Sequence, residues 1–600
     1  MSFWSLGIDL RTNRQFTICC DLAAVEFLHI LREVFPIGVS RWDANALFFA
    51  NRHSLQCLFK IGDQLAIADG IALSSLLNNE GKVTVVFSGD GGSSEGDFHE
   101  ALNVAAVWNL PVIFIIENNG YGLSTPSSQQ FKFKSFVDKG PAYGIDAYQV
   151  DGNNVLEVYS EIDRLAKQIR KRPRPVIVEA LTFRMRGHEE ASGTKYVPKD
   201  IMEFWATKDP IENYEKFLMD NQVLDAEDKQ EISSKIVLQI EQGLKTAYAE
   251  EIPVASSEKE IEDMYAPFTQ HVSGPETASF TEKRLVDAIS DGLRESLVKY
   301  PELVFMGQDV ADYGGVFKVS EGFLEEFGQE RIRNTPLCES AIIGIGLGLS
   351  IKGQKAVVEM QFADFVTVGF NQIINNLAKS YYRWQQNSDV VIRMPTGAGV
   401  AAGPFHSQSN EAWFFHTPGL KIVYPSNPAD AKGLLNAAIE DPNPVLFFEH
   451  KAMYRSVVGD VPDGYYTTEI GKAHLTIQGE DISIITYGMG VVWAKEVQDQ
   501  LPDISIEILD LRTLAPWDKD AVRHTVTKTG RVIVLHEDTL TGGIGAEISA
   551  WITEHCFMNL DAPIVRVASL DTAVPFSAAL ENNFLAKARL KKKLIELAEF

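Results

Sequence analysis

Short runs of valine and isoleucine recur along the chain, each followed by a stretch whose apolar positions repeat at helical spacing. The first group holds VTVVFS at 83–88, PVIFII at 111–116 and PVIVEA at 175–180. A second group holds AVVEM at 356–360 and DVVIR at 389–393, and a third holds ISIITY at 482–487, ISIEIL at 504–509 and RVIVL at 531–535. Runs without polar alternation predict strands covered on both faces, and intervening helical patterns predict parallel sheets with helices packed over them. Three α/β regions follow, with boundaries expected at 1–205, 276–460 and 461–600. Residues 206–275 read differently, as polar helix followed by a proline-containing stretch. Between Asn221 and Gln270 eleven acidic side chains face four lysines, the pattern of a solvated helical linker.

Composition narrows the class. With 600 residues the chain is too long for one core, and 45% hydrophobic with 23% charged residues excludes a disordered or collagen-like chain. The balance of 55 basic and 81 acidic side chains gives a net charge of -26, which repels a phosphate backbone or an anionic membrane surface. Neither nucleic acid nor membrane is an expected partner. Cys19, Cys20, Cys57, Cys338 and Cys556 form no CxxC pair and read as thiols in a reducing compartment. No apolar run approaches the ~20 residues that span a bilayer and no cleavable leader is evident, so the expected location is cytoplasmic.

Candidate chemistry concentrates in two places. The predicted strand at 83–88 runs into GDGGSSEGD at 89–97, then into apolar positions at helical spacing. Glycines let the backbone turn sharply and approach a ligand, Ser94 with Asp97 predicts a capping box, and α/β sheets place anionic ligands at such strand ends. The next strand ends in ENNGYG at 117–122. Taken singly, Gly-Asp-Gly and Asn-Asn-Gly are each explained by a tight turn. Together they put a carboxylate, an amide oxygen and a loop carbonyl on neighbouring strand ends, a donor set for hard, octahedral Mg²⁺. In the second place, NTPLCE at 334–339 sets Glu339 ahead of an apolar, glycine-rich helix pattern, where a carboxyl group is costly unless it is functional or paired.

These blocks resemble the thiamine diphosphate motif and, more fully, the decarboxylating component of 2-oxo acid dehydrogenase complexes, with its α-type and β-type halves fused in one chain. The resemblance implies an α/β fold of two thiamine diphosphate-binding doubly wound modules plus a transketolase carboxyl-terminal-like domain. It also implies that Asp90, Asn119 and the Tyr121 carbonyl bind Mg²⁺, and that Gly89, Gly91 and Gly92 line the diphosphate. His188, in FRMRGH at 183–188, is implied to lie near diphosphate and substrate. In the β-type half, Glu339 becomes the acid that protonates the aminopyrimidine, beside the cofactor contact Leu337. Phe365, in QFADF at 361–365, stacks on the pyrimidine, and His406, in HSQS at 406–409, handles protons during acyl transfer. His416 reads as structural. The first sixty residues fit the pattern poorly. Sliding it back without gaps puts Arg11 at the diphosphate and Ile61 beside the cofactor. The carboxyl-terminal blocks DLRTLAP at 510–516 and HED at 536–538 resemble the family's third domain, with no catalytic residue expected.

The implied activity is oxidative decarboxylation of a 2-oxo acid, closer in the QFADF and HSQS blocks to the branched-chain than to the pyruvate enzymes. The implied acceptor is a lipoyl-lysine on a dihydrolipoamide acyltransferase component, and the implied assembly a homodimer. A transketolase-type enzyme and a scaffold without activity are the competing readings. A nicotinamide enzyme is disfavoured, because no G-x-G-x-x-G follows the first strand with an acid about twenty residues on.

Overall fold

The computed structural model describes residues 16–20, 49–50, 53–57, 62–188, 193–252, 254–275 and 278–600. They fall into two compact units, Met1–Glu262 and Asp263–Phe600.

The first unit is built on a seven-stranded sheet. Its strands are β1 (Phe16–Cys20), β2 (Phe49–Ala50), β3 (His53–Cys57), β4 (Val83–Gly89), β5 (Val112–Asn118), β8 (Asp146–Asp151) and β9 (Val176–Leu181), after a separate two-stranded ribbon of β6 (Tyr121–Gly122) and β7 (Thr125–Pro126) is counted. The order is β2-β3-β1-β4-β5-β9-β8, parallel except for the β2–β3 pair. Valines and isoleucines of β4, β5 and β9 pack with Val158, Leu165 and Ile169 of the helix Val155–Lys171, whose first turn Asn154 caps by accepting from the Glu157 amide. The helix Gln64–Leu77 is buried along almost all its length, which explains why it carries no polar face. The acidic stretch after β9 is helical. Asp209 caps Pro210–Asp220, and Asp225 with Asp228 forms a capping box that starts the 24-residue helix Ala226–Ala249, none of whose residues is buried.

The second unit begins inside the stretch expected to be linker. Tyr265 donates to the Leu420 carbonyl at 3.2 Å, and Asn443 Oδ1 accepts from the Ala266 amide at 2.7 Å, tying 263–275 to this unit. It opens with β10 (Phe280–Arg284), then a seven-stranded sheet of β11 (Val304–Gly307), β12 (Ile332–Asn334), β13 (Ala356–Glu359), β14 (Val390–Thr396), β15 (Lys421–Val423) and β16 (Val445–His450). β17 (Val458–Pro462) pairs antiparallel with β10. A five-stranded sheet follows from β18 (His474–Ile477), β19 (Ile482–Thr486), β20 (Ile506–Asp510), β22 (Val532–Thr539) and β23 (Val565–Ser569). β21 (Thr513–Ala515) leaves that succession to pair antiparallel with β15 as the seventh strand of the larger sheet, so the two α/β regions share a continuous seam. Cys338 and Cys556 are buried. Among the described residues no helix is long and apolar enough to cross a membrane.

Candidate active site

In the first unit the geometry starts from the register of β4 on β5. Gly89 lies opposite Glu117, so the chain leaves both strands side by side into the Gly89–Gly92 loop and the Asn118–Gly122 turn. The two come into backbone contact, since a Cβ on Gly91 would stand 2.9 Å from the Gly122 Cα. Only glycine permits that approach. Asp90 is 1% exposed. Its Oδ2 accepts from Ser127 Oγ at 2.7 Å, while Oδ1 has no hydrogen-bond partner. Burial pushes its carboxyl up from the ordinary range, against the Ser127 hydrogen bond and the charge of Arg184, which act to lower it. Asn119 Oδ1 accepts from the Tyr121 amide at 3.2 Å, which shapes the turn.

Arg184 joins this turn to the histidine. Its Nη2 donates to the Tyr121 carbonyl at 3.0 Å and its Nη1 donates to His188 Nδ1 at 2.8 Å. His188 is exposed. Ser127 and Arg184 received no role from sequence. The signal for Arg184 lay in the FRMRGH block, where the histidine drew the reading. Ser127 had only its nearness to the Asn-Asn turn. The expected Ser94–Asp97 capping box does not form. Residues Gly92–Ser94 make a 3₁₀ turn, the helix Gly96–Trp108 starts with Glu95 at its N-cap, and Ser94 Oγ instead donates to Gln130 Oε1 at 3.2 Å. Arg11 and Ile61 lie outside the described residues.

A buried oxygen without a partner, next to a loop with an amide oxygen and a carbonyl, is what a hard divalent ion requires of its protein ligands. Asp90, Asn119 and Tyr121 therefore fit magnesium, and the Gly91–Gly122 contact fits a loop that must lie flat against a diphosphate.

In the second unit Gly307 of β11 pairs with Asn334 of β12, so Gln308 leaves the sheet beside the segment leading to Glu339. Gln308 Nε2 donates to Glu339 Oε1 at 3.0 Å. Glu339 opens the helix Glu339–Ile351, whose residues from Ser340 to Ser350 are all buried. The apolar setting expected for this acid is thus only partly realised: the carboxyl is half-buried and carries an amide partner, because it occupies the first turn rather than the helix body. Leu337 is 81% exposed and His416 is also exposed. His406 and Phe365 come together, a contact that the sequence reading did not specify. The imidazole meets the Phe362 ring at 4.9 Å between centroids and the Phe365 ring at 5.5 Å, both nearly edge-on. Asp364 Oδ1 accepts from the Gln408 amide at 3.2 Å and from its side chain at 2.9 Å, and Asn410 donates to the Ala363 carbonyl at 2.9 Å. These bonds stitch the 361–365 turn to the HSQS loop.

Comparison with known proteins assigns these two halves. A family model described as the dehydrogenase E1 component matches residues 50–256. The transketolase pyrimidine-binding domain matches 282–457 and the transketolase C-terminal domain 471–589. The 2-oxoisovalerate dehydrogenase subunit beta of Bacillus subtilis (strain 168) is 46% identical over 323 residues, 52% of this chain and 98% of that protein. The chain belongs to the thiamine diphosphate-dependent 2-oxo acid dehydrogenase E1 family. The E1 relatives include the mitochondrial 2-oxoisovalerate dehydrogenase subunit beta 2 of Arabidopsis thaliana, 44% identical over 48% of this chain and 82% of its own length. They also include the pyruvate dehydrogenase E1 component subunit beta of Staphylococcus aureus (strain Mu50 / ATCC 700699), 41% identical over 52% of this chain and 97% of its own length. In this E1 an α-type half carrying Asp90, Asn119 and His188 precedes a β-type half carrying Glu339, Phe365 and His406 in one chain.

Proposed function

We propose that this E1 decarboxylates a branched-chain 2-oxo acid, 2-oxoisovalerate being the probe substrate, and passes the acyl group to a lipoyl-lysine of an acyltransferase partner. The observation that carries the substrate choice is the higher identity to a relative named for 2-oxoisovalerate, 46% against 41% for one named for pyruvate, over nearly the same share of the chain. The QFADF and HSQS blocks support the same choice.

Bound thiamine diphosphate supplies an electron sink for the loss of CO₂ from the 2-oxo acid. The protein's work is to hold, orient and protonate. Asp90, with the Asn119 amide oxygen and the Tyr121 carbonyl, would hold Mg²⁺, and Gly89, Gly91 and Gly92 would give the diphosphate a backbone surface. Ser127 fixes Asp90 Oδ2 and leaves Oδ1 as the oxygen that would bind the ion. Arg184 holds the His188 ring by Nδ1, which leaves Nε2 to meet anionic oxygens of diphosphate or substrate. Gln308 anchors Glu339 Oε1 and leaves Oε2 as the atom that would share a proton with the aminopyrimidine. Phe365 supplies a face for that ring, Leu337 an apolar ledge, and His406 moves a proton as the acyl group departs.

The test is kcat/KM for 2-oxoisovalerate and pyruvate, with a free lipoyl domain as acceptor. The branched substrate should win by roughly tenfold or more, as expected for a pocket shaped around extra methyl groups. A preference for pyruvate overturns the substrate choice, and CO₂ release without acylation of the lipoyl domain overturns the acceptor. The active species is read as a homodimer, which light scattering of the full chain would contradict by returning the monomer mass.

A further inference from the structure

The loop that carries His406 is held from both sides by carboxylates of the carboxyl-terminal region, to which sequence assigned no part in the reaction. After β14 the backbone enters the left-handed region repeatedly, with φ of 91° at Gly397, 84° at Gly399, 54° at Ala401 and 71° at Gly403. Such a succession gathers backbone N–H groups into a concave surface that favours an anion. Here the anions belong to the protein. Glu537 Oε1 accepts from the Ala398 amide at 2.6 Å. Glu581 accepts from the Gly399 amide at 3.0 Å and from the Ala401 amide at 3.3 Å and 3.1 Å. On the far side of His406, Ser409 Oγ donates to the same Glu537 oxygen at 3.2 Å. Glu537 is itself fixed, because His450 Nε2 donates to its Oε2 at 2.7 Å, and Lys451 Nζ donates to the Gly397 carbonyl at 2.8 Å. Glu537, Glu581, His450 and Lys451 are all buried.

A merely structural staple is the competing explanation. Buried carboxylates serve it poorly, since apolar packing of the same volume stabilises a seam as well or better. What they do supply is direction: each selects which amides turn towards it and so which way the loop turns between them. We infer that Glu537 and Glu581 are positioning residues for His406, holding loop 396–409 so that the imidazole stands against Phe362 and Phe365. The inference rests on the proposed role of His406 and extends the machinery of the reaction into the third α/β region.

The test is a double-mutant cycle on the full chain, loaded with thiamine diphosphate and Mg²⁺, reading turnover of 2-oxoisovalerate with a lipoyl domain as acceptor. E581A should lower kcat about tenfold or more, and E581Q, whose amide oxygen can still accept the Gly399 and Ala401 amides, should recover most of it. In an H406A background E581A should cost less than about twofold further, since a residue acting through His406 has nothing left to position. The thermal midpoint of every variant separates lost fold from lost positioning. E581D, which keeps the charge and shortens the reach, repeats the cycle if E581A does not fold. Normal turnover in E581A, no recovery in E581Q, or losses that multiply in the double variant would each overturn the inference. Normal turnover in H406A alone overturns the role of the histidine, and the inference with it.

Discussion

Two glycine-rich loops leave the ends of parallel strands in this chain, one at Gly89–Gly92 after β4 and one at 396–403 after β14, and they use their glycines to opposite ends. In the first, close backbone contact with Gly122 surrounds a buried carboxylate oxygen left without a partner. In the second, the amides of Ala398, Gly399 and Ala401 are taken up by Glu537 and Glu581. The first loop keeps its polar capacity for something bound. The second spends it internally and presents a side chain, His406, in a fixed place. Glycine content therefore reports how sharply a backbone must bend, and the surrounding charges decide whether the bend holds a ligand or a residue.

That contrast can be broken by substitution. The largest effect is expected at Glu339: E339Q should lower cofactor-dependent turnover by about 10²–10⁴-fold, the range for loss of a positioned proton donor, as read by CO₂ release. Next is D90N, which should cost about 100-fold or more in Mg²⁺-dependent thiamine diphosphate affinity, read by calorimetry. Its cofactor-free protein should melt no lower than wild type, because a buried carboxylate without a cation is a liability rather than a support. If D90N melts much lower, the first loop is self-sufficient like the second and the contrast fails. S127A should cost about 10-fold in the same affinity by freeing Asp90 to turn.

The smallest effect concerns the setting of the second loop. Glu411 follows it in sequence, is buried, accepts from the Tyr487 hydroxyl at 2.8 Å, and is pushed up to about 8, first by burial and then by the charges of Asp538 and Glu537. Its folded value is raised, so the stability it contributes is fully present below its ordinary 4.5 and is lost as pH rises through about 8. The thermal midpoint of the wild type should fall across that window, and E411Q, which keeps the Tyr487 bond, should flatten the fall. Asp538, raised to about 6, leaves a residual slope of the same sign. Equal slopes in E411Q and wild type would contradict a raised carboxyl at that position.

Much of the fold was legible because strands covered on both faces must be apolar throughout. The runs read at 83–88, 111–116, 356–360 and 531–535 coincide with β4, β5, β13 and β22 to within a few residues. Short β12 and the edge strand β18, with partly exposed residues, gave no such run. The juxtaposition of the Asp90 and Asn119 loops was legible for a local reason, as each motif sits where its own strand ends. Ser127, Glu537 and Glu581 were not, because their partners lie 37, 139 and 182 residues away in sequence and only the packing of sheets brings them together. The capping box failed because the 3₁₀ turn Gly92–Ser94 moves the helix start one residue on, which puts Glu95 rather than Ser94 at the N-cap. Glu537 stood in plain view in the HED block, but nothing local to it points at the histidine loop.

The central claim is that the two halves in this one chain together decarboxylate a 2-oxo acid with thiamine diphosphate. The most direct measurement is release of CO₂ from carboxyl-labelled 2-oxoisovalerate by the full chain, with and without thiamine diphosphate and Mg²⁺. The account predicts release that requires both additions, falls by about 100-fold or more in E339Q, and at limiting cofactor falls by about as much in D90N. Release that neither substitution diminishes, or none from the folded wild-type chain supplied with both, would contradict it.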